Sequence, residues 1–370
     1  MKSICHLTSV HPRFDVRIFL KQCRSLAAAG YEVTLVVADG KGDETKEGIR
    51  IYDAGIPKGR LDRMLRTTRR VHAMARELDA DVYHLHDPEL LPVGLKLKRL
   101  RKKVIFDAHE DISAQILAKP YLNDSVRRCV SWCYKGFESW ACSRLDGIIA
   151  ATPHIRDQLL PINANTVDVN NFPLAEEFAS HRGPALSGKA NICYVGSISG
   201  VRGIREMVQA VGMTRSRVRL QLGGIFVDKN LEKEVKAYPG WDRVDYLGWI
   251  GREEVQRVMQ SSIAGLVTLL PVPNYVSALP IKMFEYMSAG MAVIASDFPL
   301  WREIVIKDGC GICVNPKNPE SIAEAIDLLV SSPSKSLDMG RRGKRSVLER
   351  YSWHFEEIKL LRIYSGLAAS

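Results

Sequence analysis

Long hydrophobic runs are missing from this sequence of 370 residues. None reaches the roughly 18 apolar residues that a spanning helix needs, so no transmembrane segment is predicted. The opening stretch breaks any apolar core with Cys5, His6, His11, Pro12 and Arg13, where a secretory leader needs an unbroken one. A cytoplasmic location is the expectation. Cysteine is sparse: eight residues, of which only Cys129/Cys133 and Cys310/Cys313 are close. That excludes a disulfide scaffold. Cys310-Gly-Ile-Cys313 has no second pair nearby to complete a zinc site, and strand-like residues follow it where a redox dithiol needs a helix. All eight are expected to be reduced, most of them buried. Also absent are the G-x-S-x-G nucleophile elbow, the GK[ST] phosphate loop and G-x-G-x-x-G. No zinc-finger, RNP or helix-turn-helix pattern occurs, so nucleic acid is not an expected partner.

What is present is an ordinary globular balance, 46% hydrophobic and 25% charged, with 27 Gly and 17 Pro. Global disorder is excluded, and the length suffices for two cores. The formal charge is +10, with the excess spread over both halves. Two basic clusters stand out, Lys58 to Arg76 and Lys96 to Lys103. Each reads as a solvated helix face, with an anionic membrane surface as the alternative.

Short β-branched runs alternate with segments of helical period. In the first half the strands are predicted at residues 3–7, 32–37, 49–53, 82–85, 104–107, 147–151 and 167–169. Helices are predicted at 16–29, 63–78 and 90–100, with an aromatic-rich amphipathic stretch at 126–145. The pattern breaks from Pro173 to Lys189, which is read as the interdomain linker. It then restarts with strands at 191–195, 219–222, 244–247, 265–269, 292–295 and 312–314. Helices are predicted at 204–211, 231–237, 252–260, 281–289 and 321–329, and a last one from Trp353 to Leu367. The prediction is α/β: two Rossmann-like, doubly wound domains, 1–175 and 176–352, facing across a cleft, with a terminal helix, 353–370, returning to the first.

In the second half, the run from Asn274 to Gly290 is the most informative. The loop Ser277-Ala-Leu-Pro280 leads into a helix expected to begin at Pro280 and stop at Gly290. A helix start offers unpaired N–H groups and partial positive charge to an anion, and Lys282 adds a full charge. Glu285 can accept hydrogen bonds from two vicinal hydroxyls, as a ribose presents them. On spacing alone the segment reads equally well as an exposed Glu–Lys pair at i,i+3. Upstream, the glycines at 196, 200 and 203 let backbone approach a phosphate, and Arg202 can grip a diphosphate through two N–H groups.

In the first half, polar clusters sit at three strand ends: Thr8 to Arg17, His84 to Glu89, and Phe106 to Asp111. His84, His86, Asp87, His109, Glu110 and Asp111 are ligand types for a metal, but they lie on separate strands and no metal is expected.

Together these segments resemble the retaining family-4 glycosyltransferases of the GT-B fold, particularly bacterial enzymes of surface-polysaccharide synthesis. The likeness rests on His11-Pro-Arg-Phe-Asp-Val-Arg-Ile-Phe19, Gly30-Tyr-Glu-Val-Thr34, His84-Leu-His-Asp-Pro-Glu89 and Phe106-Asp-Ala-His-Glu110. It continues through Gly196 to Gly203, Lys282-Met-Phe-Glu-Tyr-Met-Ser-Ala-Gly290 and Tyr351-Ser-Trp353. Their order and spacing carry it; no single motif does.

The resemblance implies a hexosyltransferase-type enzyme that binds a nucleoside-diphosphate sugar (UDP- or GDP-sugar) in the second domain and a saccharide or polyprenyl-linked saccharide acceptor in the first. By that resemblance Glu285 holds the ribose, Arg202 and Lys282 neutralise the diphosphate, and His109 lies beside the donor sugar. Gly196, Ser197, Gly203, Ser277, Ala278, Leu279 and Pro280 line the nucleotide. His11, Asp15, Arg17, His86 and Glu110 border the acceptor. No cofactor and no metal are implied. Two departures stand out. The family's earlier carboxylate, eight positions before Glu285, is Ser277 here, and the basic residue that often follows the first glycine of the turn is Ser197. A nucleotide-sugar epimerase and a non-enzymatic basic scaffold are the rival readings. Trp132 and Trp140 are assigned either to a core or to a membrane-facing surface.

Overall fold

A computed structural model describes residues 2–117, 123–178 and 190–369. Chain contacts divide it into two units, one formed by Met1–Asn171 with Trp353–Ser370 and the other by Phe172–Ser352. The predicted linker falls partly on residues 179–189, which lie outside the described ones. Its start carries a single helical turn, Ala175–Phe178.

The first unit is built on β1 (Ser3–Leu7), β2 (Glu32–Val37), β3 (Glu44–Lys46), β4 (Ile49–Asp53), β5 (Val82–Leu85), β6 (Lys103–Ala108), β7 (Gly147–Ala150) and β8 (Thr166–Asp168). They lie in the order β3-β4-β2-β1-β5-β6-β7-β8. All pairings are parallel except β3 on β4. The second unit carries β9 (Ala190–Val195), β10 (Val218–Gly223), β11 (Val244–Gly248), β12 (Ala264–Val267), β13 (Ala292–Ser296) and β14 (Gly311–Val314), ordered β11-β10-β9-β12-β13-β14 and wholly parallel. In each sheet the order reverses at its first strand, β1 or β9, and ligands of such sheets bind beyond the carboxyl ends at that reversal.

Burial on both faces explains the near-continuous apolar strands. Along β1, Cys5 and Leu7 enter one core together with Val71, Leu91 and Ala141 from three helices. His6 faces the other side. Along β9, Ile192 and Tyr194 enter one core while Cys193 enters the other.

Several elements go beyond the sequence reading, among them short helices at Ile112–Leu117 and Pro273–Val276. Helices form at Pro153–Leu159 and Pro299–Val305, and strand β3 pairs at the sheet edge. The largest difference is the helix Pro333–Arg350, masked by Gly340 and Gly343, which lower helix propensity. Here both serve packing. A Cβ on Gly340 would sit 2.0 Å from the Gly290 carbonyl oxygen, and one on Gly343 only 3.2 Å from Cys310 Cβ. The two glycines let this helix lie directly against the end of the helix Ile281–Ser288. Among the described residues no helix is long and apolar enough to cross a membrane.

Candidate functional site

The helix Ile281–Ser288 owes its placement to its apolar face. Met283, Phe284, Tyr286 and Met287 are fully buried. The Tyr286 ring lies over Gly265, where a Cβ would approach it to 2.1 Å, and its hydroxyl accepts a hydrogen bond from Val195 N–H at 3.1 Å. Lys282 and Glu285, at i and i+3, are left on the remaining face. Pro280 is the residue before the first turn rather than within it. The Ser277–Leu279 loop is pinned from behind, because the buried Trp301 donates from Nε1 to the Ala278 carbonyl at 2.7 Å.

Lys282 is the unusual group. Its ammonium is buried, with no hydrogen-bond partner among the described residues. It sits 4.1 Å from the centre of the Tyr194 ring. Gly196 makes this position possible: a Cβ there would be 2.8 Å from Lys282 Nζ and 3.7 Å from Arg202 Nη1. Two cations therefore converge over one glycine. Burial, followed by repulsion from Arg202, lowers the Lys282 pKa to about 7, with Glu285 opposing the shift. Arg202 stays charged despite burial, held by Tyr194 and Tyr275. An unpaired buried amine beside a guanidinium at a helix start suits the binding of an anion. Ser197 is exposed, its carbonyl accepting from Tyr194 at 2.7 Å, and Gly203 precedes the helix Ile204–Met213. A pocket of about 470 Å³ adjoins them, lined by Gly196, Ser197, Gly223, Phe226, Trp249 and Ile250 among others.

Glu285 is 17% exposed in its side chain and receives Arg252 Nη1 at 2.9 Å on Oε1. Arg252 also pairs with Glu177. Neither residue carries a sequence signal: Arg252 opens an unremarkable helix 33 positions before Glu285.

In the first unit, β1, β5 and β6 bring their polar residues together around Asp107, which is fully buried. Arg17 donates to both its oxygens, at 3.0 and 2.7 Å, and Gln22 donates at 2.7 Å. Burial alone would raise Asp107, but the Arg17 guanidinium, with His109, holds it well below the usual carboxylate range. Three buried imidazoles stack beside it, His6, His84 and His86, with ring centres 4.5 to 5.1 Å apart. Burial keeps them neutral, His84 down to about 3, and His6 and His86 well below their ordinary value, assisted by repulsion from His84. His6 Nδ1 meets His86 Nε2 at 2.8 Å, and His86 Nδ1 meets His109 Nε2 at 3.2 Å. His109 Nε2 lies 3.3 Å from Asp107 and its ring 4.9 Å from that of His11. His11 in turn reaches Asp15 at 3.4 Å and Asp87 at 3.5 Å.

Two of the expected acceptor-side residues lie in the interior. Arg17 is buried, and its third contact, Nη1 to the Val169 carbonyl at 2.7 Å, completes a buried ion pair with Asp107. His86 is likewise buried, in contact with His109. Asp15 caps the wide, π-type turns of Val16–Cys23 by accepting from the Arg17 and Ile18 amides. Burial opposes its ionisation, yet His11 and the Ile18 amide hold it below the usual range. Glu110 is exposed. Two groupings, His6/His84/His86 and His86/Asp107/His109, bring possible metal-ligand atoms within 4.8 Å of one another. In the second grouping the ring nitrogens pair with each other and with Asp107; in the first, His6 Nδ1 pairs with His86 and His84 Nδ1 with Tyr364, while His6 Nε2 and His84 Nε2 are buried with no hydrogen-bond partner among the described residues. Asp107 belongs to the polar cluster Phe106 to Asp111 but not to the candidate site residues, although a carboxylate inside the apolar run Val104-Ile-Phe-Asp-Ala108 is a visible signal.

Comparison with known proteins accounts for the architecture. Residues 177–346 match the glycosyl transferases group 1 model, and residues 16–173 match a glycosyl transferase 4-like domain. An uncharacterized glycosyltransferase of Methanocaldococcus jannaschii is 25% identical over 74% of this chain and 72% of its own length. An alpha-maltose-1-phosphate synthase of Mycolicibacterium smegmatis is 24% identical over 63% of this chain and 66% of its own. Among solved structures, a sucrose-phosphate synthase of Thermosynechococcus elongatus superposes with a TM-score of 0.81 over 100% of both chains at 19% identity. Anabaena HepE in complex with UDP-glucose gives 0.75 over 99% of this chain and 100% of that one, at 14%. The chain belongs to the family-4-like glycosyltransferases of the GT-B fold, as a hexosyltransferase-type enzyme.

Proposed function

We propose that this chain transfers a hexosyl group, with retention of configuration, from a nucleoside-diphosphate sugar to a hydroxyl of a saccharide or lipid-linked saccharide acceptor, in cell-surface polysaccharide synthesis at the cytoplasmic face of the membrane. The observation that carries the reading is the unpaired, buried Lys282 ammonium beside Arg202 at the start of the helix that bears Glu285. In the transfer the bond from the anomeric carbon to the diphosphate oxygen breaks, and the bond to the acceptor oxygen forms on the same face. The acceptor proton passes to the leaving phosphate oxygen. The hard part is the negative charge that grows on the diphosphate. Lys282, Arg202 and the amides of the helix start stabilise it in place of a metal ion. Glu285 clasps the ribose hydroxyls. His109, held by Asp107 and His86, orients the sugar.

The name of the Anabaena HepE complex, with UDP-glucose, supports a UDP-sugar over a GDP-sugar as donor. A thermal-shift panel of nucleoside diphosphates and their sugars tests the reading. One base should raise the melting temperature strongly, and Glu285→Ala should remove most of that rise. If no nucleotide stabilises the chain, or Glu285→Ala responds like the parent, the site is wrongly assigned. Product formed from donor alone, without acceptor, marks an epimerase instead.

A further inference from the structure

A glutamate side chain turns about several single bonds, and a ligand that uses its carboxylate must first still it. Glu285 is already still. Its side chain is held at Oε1 by Arg252 Nη1. The two residues meet because their helices share a core: Val255, Val258 and Met259 of Arg252–Gln260 bury with Met283, Phe284 and Met287 of Ile281–Ser288.

Arg252 is itself gripped from the far side. Its Nε and Nη2 donate to the two oxygens of Glu177, and its guanidinium lies 5.6 Å from the centre of the Phe178 ring. Glu177 and Phe178 belong to the turn Ala175–Phe178, and that turn is anchored twice. Gln256 Nε2 donates to the Glu177 carbonyl at 3.2 Å, and Lys344 Nζ to the Phe178 carbonyl at 3.1 Å. Phe178 itself enters the same core. One planar fork therefore joins two carboxylates, a geometry that a lysine cannot reproduce. The Arg252 side chain is 43% exposed, where an ion pair stabilises a fold only slightly. What the fork supplies there is direction.

The direction concerns the donor site. Arg252 stands two residues beyond Ile250, which lines the pocket beside Gly196 and Ser197. It occupies one lone pair of Glu285 Oε1, while Glu285 Oε2 takes no hydrogen bond from another side chain among the described residues. We propose that Arg252 is a positioning residue for Glu285, and Glu177 one for Arg252, so that the carboxylate is set to receive the ribose hydroxyls before a nucleotide arrives. The proposal rests on the reading of Glu285 as the ribose carboxylate. Without the fork, the nucleotide has to order Glu285 itself, which costs about five-fold in affinity for one flexible side chain.

The test is calorimetry of the full chain at pH 6.5 with UDP and GDP, each beside its 2′,3′-dideoxy counterpart. The ratio of the two dissociation constants reads the grip on the hydroxyls alone. The parent should prefer the ribose form, and Glu285→Ala should abolish the preference. Arg252→Gln should lower it about five-fold and leave dideoxy binding and the melting temperature nearly unchanged. Arg252→Lys, which keeps the charge but not the fork, should behave like Arg252→Gln. Glu177→Gln should act in the same direction. In a Glu285→Ala background Arg252→Gln should change nothing further. An undiminished preference in Arg252→Gln overturns the proposal. So does equal weakening of ribose and dideoxy forms that Arg252→Lys restores, since the guanidinium then acts by charge alone. An effect that persists in Glu285→Ala also overturns it, because Arg252 then only anchors the turn. If Glu285→Ala itself keeps the preference, or neither nucleotide binds the parent, the ribose reading falls and takes this proposal with it. Failure at Arg252 alone leaves the ribose reading standing.

Discussion

Lys282 makes donor affinity a steep function of pH. In the empty site its pKa is about 7, because burial and the Arg202 guanidinium both disfavour the ammonium. A diphosphate arriving beside it reverses that balance and draws the pKa up again. Only the protonated amine binds the anion well, so association takes up a proton at any pH above the free value. The sign is definite: affinity is full well below pH 7 and falls as pH rises through that value. With the bound pKa above about 9.5, the dissociation constant should grow about 25-fold between pH 6.5 and 8.5. A nucleoside-diphosphate sugar suits the measurement, because its own charge does not change over that range. Calorimetry in buffers of different ionisation enthalpy should show about half a proton taken up at pH 7 and about 0.9 at pH 8. Lys282→Arg, charged throughout, should flatten the profile. Equal affinity at pH 6.5 and 8.5, or the same slope in Lys282→Arg, would refute the reasoning.

Further outcomes follow from the same packing. Lys282→Met removes a buried, unpaired amine, so the ligand-free chain should melt higher at pH 7 while transfer is lost; the gain has a ceiling of about 4 kcal/mol. Asp107→Asn strips Arg17 of its buried partner and should cost about 3–5 kcal/mol in urea unfolding. Because folding holds the Asp107 pKa well below its ordinary value, its stabilisation is full above about pH 5 and lost as acid approaches the folded value; Asp107→Asn should show a shallower acid limb. Gly340→Ala drives a methyl into the Gly290 carbonyl and should cost about 3 kcal/mol, read as a lower urea midpoint.

Much of the second unit's site is written locally. Lys282 and Glu285 share one turn with four apolar residues that bury, so their common face is readable from spacing alone. Arg252 and Tyr275 reach that face only through tertiary packing, and no local pattern announces them. The same holds in the first unit. His109 and His11 lie at strand ends and declare themselves, whereas Arg17 looks like a ligand-facing cation until Asp107, on a strand 90 residues away, is seen to claim it. The helix Pro333–Arg350 was hidden for a different reason. Its two glycines lower helix propensity in a chain read one residue at a time, yet they are what admits the helix against Gly290. Propensity describes an isolated segment, and here close contact decided.

The helix Trp353–Ala369 belongs to the first unit, where Trp353 donates to Ser25, Glu356 accepts from Asn170, and Tyr364 lies 2.8 Å from His84. The whole of the second unit is thus spliced between two parts of the first. During synthesis the amino-terminal sheet emerges early but must wait, with His84 and Asn170 unmet, until this segment has left the ribosome, whereas the inserted unit has everything it needs sooner. The unit begun first is therefore the one completed last, and chaperone dependence should concentrate on the half made first.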